Sequence, residues 1–174
     1  MTDQEILEKL KGWDEDETID REVARMRRGE IAIESLLQHW PADNYFLKLA
    51  LDPQKYPDCV PEQYLLKDAR NIAISKHPRY SPMPLHSHDY FEMYYVVQGD
   101  CTQRFEDGAV RLSGGDFCML SPDAKHCIEA FDDNALILNI AIRQGTFLKQ
   151  FSALSMNGVV SFSYSRETHQ EVIE

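Results

Sequence analysis

The chain has 174 residues and a mass of 20.1 kDa, enough for one well-buried core with an appendage and too short for two full domains. Its composition, 43% hydrophobic and 27% charged, is that of an ordinary globular protein rather than a disordered or membrane one. The formal net charge of −11 argues against the basic face that nucleic-acid binding requires.

The chain begins MTDQEILEKLKGWDEDE, which lacks the basic, apolar and small-residue segments of a signal peptide. No apolar run approaches the roughly 18 residues of a membrane span. We therefore expect a cytoplasmic protein that does not engage a membrane. The four cysteines form no C-x-x-C pair, which argues against a zinc or dithiol site and predicts reduced thiols: Cys59, Cys101, Cys118 and Cys127.

Residues 1–68 show the three- and four-residue apolar spacing of helices. The longest apolar stripe runs from Ile19 to Trp40, where Gly29 interrupts it and Pro41 ends it. Two further short helices are predicted in ADNYFLKLAL and PEQYLLKDAR. This helical extension either packs on the domain that follows or contacts a second copy through its stripe, and the sequence does not distinguish the two.

From about residue 70 the chain shows short apolar or alternating runs with turn residues every eight to twelve positions, a spacing typical of an all-β sandwich or barrel. The predicted strands are NIAISKH, DYFEMYYVVQ, CTQRFE, AVRL, DFCML, HCIEAF and ALILNIAIR. Between two of them, Asp107-Gly108 predicts a hairpin turn of type I′. After the last strand, QGTFLKQFSALSMNG predicts a loop and a short helix.

The stretch PLHSHDYFEMYYVVQGD carries the candidate site, because alternate side chains of a strand share one face. Five polar or aromatic residues fall on that face: His86, His88, Tyr90, Glu92 and Tyr94. Two imidazoles and a carboxylate are good ligands for first-row divalent metals and leave coordination positions open. His126, at the start of a later strand, is a fourth candidate ligand, whereas Cys127 should point to the opposite face.

Two motifs in this region resemble those of cupins. The first reads H-x-H-x-x-x-E-x-x-x-x-x-x-G and the second approximately G-x-x-x-x-x-x-P-x-x-x-H, and the matching residues are His86, His88, Glu92, Gly99, Gly115, Pro122 and His126. Tyr80 and Ala124 stand where many cupins have glycine. The short PDAKH spacing is similar to that in the amino-terminal sensor domains of AraC-type transcription regulators.

The resemblance implies a mainly β chain. A cupin barrel, also called a double-stranded β-helix or jelly roll, would occupy residues 69–145. A helical extension precedes it at 1–68, and residues 146–174 begin a helical dimerisation linker. The barrel would bind a small-molecule effector such as a sugar or small acid, and the chain would form a homodimer. DNA would be contacted only by a helix-turn-helix region beyond this chain, since residues 146–174 hold just Lys149 and Arg166 as cations.

The leading hypothesis is therefore a non-catalytic sensor whose effector pocket is walled by His86, His88, Tyr90, Glu92, Tyr94 and His126. In such a pocket the two tyrosines either stack on the effector or simply fill the barrel. We expect Trp13 and Trp40 to be packing anchors, and His39, His77 and His169 to lie on the surface or in loops.

A more specific form of that hypothesis adds a divalent metal such as Zn, Fe, Ni or Mn. Its ligands would be His86, His88, Glu92 and His126. The alternative function is a stand-alone metal-dependent cupin enzyme, a dioxygenase or sugar isomerase. A third is a metal-free interaction module built on the barrel.

Overall fold

The structure is a computed structural model that describes residues 2–156. His169, expected on the surface or in a loop, lies outside the described residues. Within them, no helix is long and apolar enough to cross a membrane.

Four helices form the amino-terminal extension, and three of them begin at a residue whose side chain can cap a helix. They are α1 (Asp3–Lys11), α2 (Glu15–Arg27), α3 (Ile33–His39) and α4 (Tyr45–Leu51). Thr2 and Asp14 make capping boxes for the first two helices, and the Asn44 side chain caps the fourth. Gly29 adopts φ +76°, as the turn between α2 and α3 requires, so the predicted interruption is confirmed.

The extension has an intrachain core that includes part of the apolar stripe. Its buried members are Ile19, Val23, Leu36, Leu47 and Ala50, with Met26 and Trp40 packed against them. The indole Nε1–H of Trp40 also donates to the Glu22 carboxylate at 2.8 Å. The role of Trp40 as a packing anchor is thereby confirmed. Most of the stripe packs within the chain, whereas Ile33 and Leu37 are 44% and 42% exposed.

The prediction of a helix in PEQYLLKDAR is wrong. Only a 3₁₀ turn, Glu62–Tyr64, forms there, and a second one lies at Pro53–Lys55. Asp68 and Ala69 both adopt positive φ, which no continuous helix allows. The chain instead turns so that Leu66 is buried against the barrel.

All seven predicted strands form, and two unpredicted two-residue strands join them. In chain order they are β1 (Cys59–Val60), β2 (Ile72–Lys76), β3 (Ser87–His88), β4 (Phe91–Gln98), β5 (Asp100–Phe105), β6 (Ala109–Ser113), β7 (Phe117–Leu120), β8 (His126–Glu129) and β9 (Leu136–Ile142). The pairing gives an antiparallel sheet β2-β9-β4-β7, a second antiparallel sheet β6-β5-β8, and a parallel pair β1-β3. The Asp107-Gly108 hairpin is present, but neither residue has positive φ, so type I′ is wrong.

The barrel core lies between the two larger sheets. Its buried members come from both: Tyr94, Val96, Cys101, Leu112, Leu120, Ile128, Ala130, Ala135 and Ile137. After β9 the chain enters helix α5 (Gln144–Met156), as predicted, and Phe147 stacks on Phe91 of β4 with ring centroids 3.7 Å apart. The mainly β class with flanking helices is thus confirmed.

The extension is joined to the barrel through Arg79, which follows β2. Arg79 bonds to the Glu17 carboxylate of α2, and its guanidinium carbon lies 3.8 Å from the ring centroid of Trp13. Trp13 also stacks with Tyr80, so it too is a packing anchor, as expected. Tyr80 adopts φ +62°, so the position where many cupins have glycine keeps a glycine-like conformation here.

Candidate metal centre and barrel interior

Three of the four candidate ligands meet inside the barrel. They are His88 of β3, Glu92 of β4 and His126 of β8, and one ligand atom from each lies within 4.8 Å of the others. The two imidazoles are fully buried and Glu92 is 2% exposed. Strand pairing fixes their approach, because β3 leads directly into β4, while a backbone bridge between His86 and His126 brings β8 alongside.

Backbone carbonyls fix the orientation of both ligand imidazoles. The Nδ1–H of His88 donates to the carbonyl of Tyr90 at 2.7 Å, and the Nδ1–H of His126 donates to that of Ala124 at 2.9 Å. In the neutral ring this leaves Nε2 as a lone-pair donor. In metal sites, the ring nitrogen that does not bind the metal commonly donates such a hydrogen bond, which orients the imidazole.

Both Nε2 atoms point at one oxygen of Glu92. Oε2 lies 2.8 Å from Nε2 of His88 and 3.0 Å from Nε2 of His126. Three lone-pair atoms that converge in a buried space need a cation among them, either a metal ion or protons on both imidazoles. The donor set, two imidazoles and one carboxylate, fits a first-row divalent metal.

The second oxygen of Glu92 is also held. Asn139 of β9 donates from Nδ2 to Oε1 at 2.6 Å. Burial raises the pKa of the Glu92 carboxyl, but when each imidazole carries a proton on Nε2, the hydrogen bonds from His126 and His88 outweigh burial and hold that pKa well below its usual value. Glu92 is therefore the anionic member of the centre.

The other predicted wall residues lie around this centre. The ring of His86 is 4.7 Å from that of His126, and its Nδ1–H donates to the carbonyl of Pro84 at 3.0 Å, but it is not part of the three-residue cluster. Tyr90 stacks on His88 at 4.3 Å, and the Tyr94 hydroxyl lies 3.5 Å from Nε2 of His126. Burial, and then the carboxylate of Glu92, raise the pKa of the Tyr94 phenol well above its usual value, which keeps it protonated.

Three interior residues escaped the sequence analysis: His77, Gln103 and Asn139. His77, expected on the surface or in a loop, does lie in the irregular stretch after β2, but it is buried there: it is 6% exposed and its ring packs edge-on against Tyr94 at 5.7 Å. Burial lowers the pKa of His77 to about 4, so its imidazole is neutral. The expected exposure of His39 is confirmed.

The interior also contains polar atoms without hydrogen-bond partners. Both amide atoms of Gln103 are fully buried and unpaired, as are Nδ1 of His77 and Oδ1 of Asn139. Gln103 lies opposite Ile128 in the second sheet, two residues from His126, and Asn139 lies opposite Tyr94. Alternation along CTQRFE, and one polar residue in the apolar run ALILNIAIR, were the sequence signals that could have placed these two amides inside.

The cysteines carry no site within the described residues. All four are free, and none belongs to the metal cluster. Cys127 lies opposite Arg104 rather than on the His126 side, as expected. Burial raises the pKa of the Cys101 thiol to about 12 and that of Cys118 to about 11, which makes both poor thiolates.

Comparison with known proteins supports the same fold. Residues 71–151 match the family model "AraC-like ligand binding domain". No curated protein matches the sequence.

Solved structures that resemble the chain include cupins. An RmlC-like cupin family protein from Methanocaldococcus jannaschii is 19% identical over 45% of this chain and 73% of its own, with a TM-score of 0.37. A cupin-2 domain protein from Shewanella frigidimarina is 22% identical over 41% and 69%, with a TM-score of 0.36. A protein from Thermotoga maritima described as a predicted oxalate decarboxylase is 29% identical over 41% and 64%, with a TM-score of 0.34.

Strand pairing, the His-His-Glu cluster and the family match all fall on the same part of the chain. Residues 71–151 form a cupin-type domain that is similar to the AraC-like ligand binding family.

Proposed function

We propose that this chain senses a small-molecule effector inside its barrel and, as part of a longer regulator, controls DNA binding by a helix-turn-helix region. The observation that carries the proposal is the match of residues 71–151 to the AraC-like ligand binding domain. Because the net charge of this chain is −11, the contact with DNA belongs to that further region and not to the barrel. The working unit is a homodimer.

The effector binds within the barrel, where several buried polar atoms have no hydrogen-bond partner among the described residues. A buried amide left without hydrogen bonds costs on the order of 1–3 kcal/mol, so the unpaired Gln103 side chain is an unusual feature to keep in a core. Its amide both donates and accepts, as do the hydroxyls of a sugar. Together with neutral His77 and the free oxygen of Asn139, it favours an effector that presents hydroxyl or carboxyl oxygens.

A divalent metal held by His88, Glu92 and His126 is the second part of the proposal. Zn, Fe, Ni and Mn all accept this donor set. Three protein ligands leave coordination positions open, and the metal would supply there a Lewis-acid contact for an effector oxygen. His86 and Tyr94, beside His126, and Tyr90, stacked on His88, complete the pocket wall.

Sensing needs no chemical step. An effector that binds one arrangement of barrel, extension and α5 more tightly than another shifts the population toward that arrangement. The extension contacts the barrel directly through Arg79 and Glu17. A conformational change in the barrel can therefore be transmitted to the helices through this contact. The attached DNA-binding region would read the resulting arrangement.

The second candidate function is a metal-dependent enzyme of the cupin class, a dioxygenase or sugar isomerase. The specific observation in its favour is the centre itself, since two histidines and a carboxylate with open positions also serve catalysis. Turnover of a small acid or sugar in proportion to added metal would establish the enzyme and displace the non-catalytic sensor.

The experiment combines elemental analysis with a thermal-shift screen of sugars and small acids. Wild-type protein should carry near one metal per chain, and one compound should stabilise it by about 2.7 kcal/mol at 100 times its dissociation constant. His126→Ala should lose both effects, while His39→Ala, on the exposed surface of α3, should keep both. If no compound stabilises the metal-loaded wild type, the sensor proposal fails and an interaction module takes its place.

A further inference from the structure

The segment that leads from the helical extension into β2 runs alongside the candidate metal centre. Residues 58–70, here called the strap, contain β1, which pairs with β3 so that Val60 lies opposite His88. Two residues further on, the backbone N–H of Glu62 donates to the Asp89 carboxylate at 2.6 Å. The strap is therefore attached to the strand that supplies one of the three cluster residues.

Tyr90 links the centre to the strap. Its ring stacks on the imidazole of His88, with the centroids 4.3 Å apart and the planes within 15° of each other. Tyr90 also forms one buried apolar cluster with Leu66 of the strap and Ala141 of β9. A metal or effector atom on Nε2 of His88 would fix the plane of the imidazole. Because close-packed interiors transmit small shifts, the packing of Leu66 should depend on that plane.

The far end of the strap is held by Arg143, the residue before α5. Its guanidinium pairs with the Glu62 carboxylate and donates to the backbone carbonyls of Leu66 and Arg70 at 3.4 Å and 3.2 Å. The backbone carbonyl of the same arginine accepts from the N–H of Thr146 at 3.0 Å, in the first turn of the helix. One residue thus binds the strap with its side chain and begins α5 with its backbone.

The strap has few contacts of its own to keep it closed. Within this fully described segment, Leu66 alone is buried. Asp68 and Ala69 adopt φ +55° and +58°, a left-handed conformation that residues other than glycine rarely adopt. Such a conformation persists only where the surrounding contacts impose it. The strap should therefore open locally at a lower free energy than the barrel strands, and its contacts with Tyr90 and Arg143 decide how often it opens.

We propose that the strap and the first turn of α5 open and close as one unit joined by Arg143, and that occupancy of the barrel centre favours the closed state. Arg143 is thus a positioning residue that connects the centre to α5, whereas the Arg79 contact leads to the amino-terminal helices. The inference rests on the proposed sensing function in one respect, that a metal or effector occupies the centre. Because coupling is reciprocal, a change at either end of the unit should alter the other end.

Amide hydrogen exchange of the full chain, followed at Leu66 in the strap and Thr146 in α5, tests the joint opening. Glu62→Gln removes the carboxylate at the strap end and should speed exchange at both amides about tenfold, as should Arg143→Gln. Arg104→Gln, which breaks a surface ion pair of β5, is the control and should leave both rates within about twofold. If Glu62→Gln changes neither amide, or changes Leu66 alone, the proposal is overturned.

Tyr90→Leu tests the step from the centre to the strap. It removes the ring stacked on the cluster imidazole and should speed exchange at Leu66 and Thr146 about tenfold in the wild-type background. In the Arg143→Gln background it should still speed exchange at Leu66, but should change Thr146 by no more than about twofold. An equal response of Thr146 in both backgrounds would mean that α5 is reached through the aromatic stack that also holds it, and would refute the role of Arg143.

Zinc provides a readout that needs no buried substitution. In the wild type, Zn²⁺ bound at near one per chain should slow exchange at Leu66 and Thr146 at least tenfold, and in Arg143→Gln it should slow Leu66 alone. Zinc that binds the wild type without slowing Thr146 would overturn the inference and leave the proposed function intact. If no zinc binds, the metal part of the proposed function fails, and the Glu62→Gln and Tyr90→Leu comparisons still decide the inference.

Discussion

Arg79 donates from its backbone N–H and from Nε to the same oxygen of Glu17, each at 3.0 Å, and from Nη2 to the other carboxylate oxygen at 3.0 Å. Both side chains are almost fully buried, and the residues are 62 positions apart in sequence. Lys76 adds a second cation 2.6 Å from Glu17. This buried ion pair holds the helical extension against the barrel. Removing one partner would leave an unpaired charge buried away from water.

Glu17→Gln should therefore destabilise the protein by about 3 kcal/mol, in the range observed when one member of a buried pair is removed. Urea denaturation at pH 7 measures the change. Glu34→Gln, an exposed glutamate on α3, is the matched control and should shift the free energy of unfolding by less than about 0.5 kcal/mol. Equal losses in the two variants would mean that the ion pair does not fasten the extension.

The same pair predicts a loss of stability in acid. Burial raises the pKa of Glu17, but hydrogen bonds from Arg79 and Lys76 outweigh burial and bring it down to about 2, against an ordinary value of 4.5. A lowered folded-state pKa adds stability that is complete above about pH 4.5 and disappears as the pH falls towards 2, amounting to about 3 kcal/mol. Wild type should lose this stability on acidification, whereas Glu17→Gln should show a flatter curve over the same interval.

Asp20 of α2 has the opposite effect on the pH dependence: it predicts that the free energy of unfolding falls as the pH rises. It is 6% exposed, and burial, followed by the negative charge of Asp16, raises its pKa to about 8. The native state then keeps a proton that the unfolded state has released, so stability falls as the pH rises from about 4 to 8. Asp20→Asn should raise the free energy of unfolding at pH 7 by about 2–4 kcal/mol and have little effect at pH 4. No gain at pH 7 would show that Asp20 ionises normally.

The strands were predictable because their signals are local. Period-two alternation with turn residues at each end identified all seven long strands, and Gly29 identified the break between α2 and α3. The parallel pair β1-β3 was not predictable, since two residues carry no periodicity and their pairing joins positions 28 apart. The false helix at 61–70 had helical spacing, but burial of Leu66 against the barrel decided its conformation.

The site was predictable only in part. Strand alternation and the two sequence motifs are enough to place His88, Glu92 and His126 within reach of one another. His77 was missed because it follows β2 in an irregular stretch, where no repeat indicates the direction of a side chain. The closeness of His77 to Tyr94 depends on the β2-β9-β4 order of the sheet, which a single sequence does not display.

Separate histidine variants test which imidazoles bind metal. His88→Ala removes a ligand atom of the cluster, so bound metal should fall from near one per chain to near zero. His86→Ala removes a neighbouring ring outside the cluster and should leave most of the metal in place, with affinity lowered by about 10- to 100-fold at most. Elemental analysis after dialysis measures both. Unchanged metal in His88→Ala would place any bound ion elsewhere in the protein.

Gln103→Leu tests whether the buried amide serves binding rather than folding. Because neither amide atom has a partner, replacing the side chain with an apolar one of similar size should raise the free energy of unfolding of the effector-free protein by about 1–3 kcal/mol. The same change should abolish the stabilisation that an effector gives to the wild type, since its hydrogen-bonding groups would face a methyl surface. Ile128→Leu, directly across the strand pair, is the control for repacking and should cost less than about 1.5 kcal/mol without impairing effector binding. A Gln103→Leu protein that is less stable than the wild type would show that the amide has a structural partner, and the interior would then offer the effector one polar contact fewer.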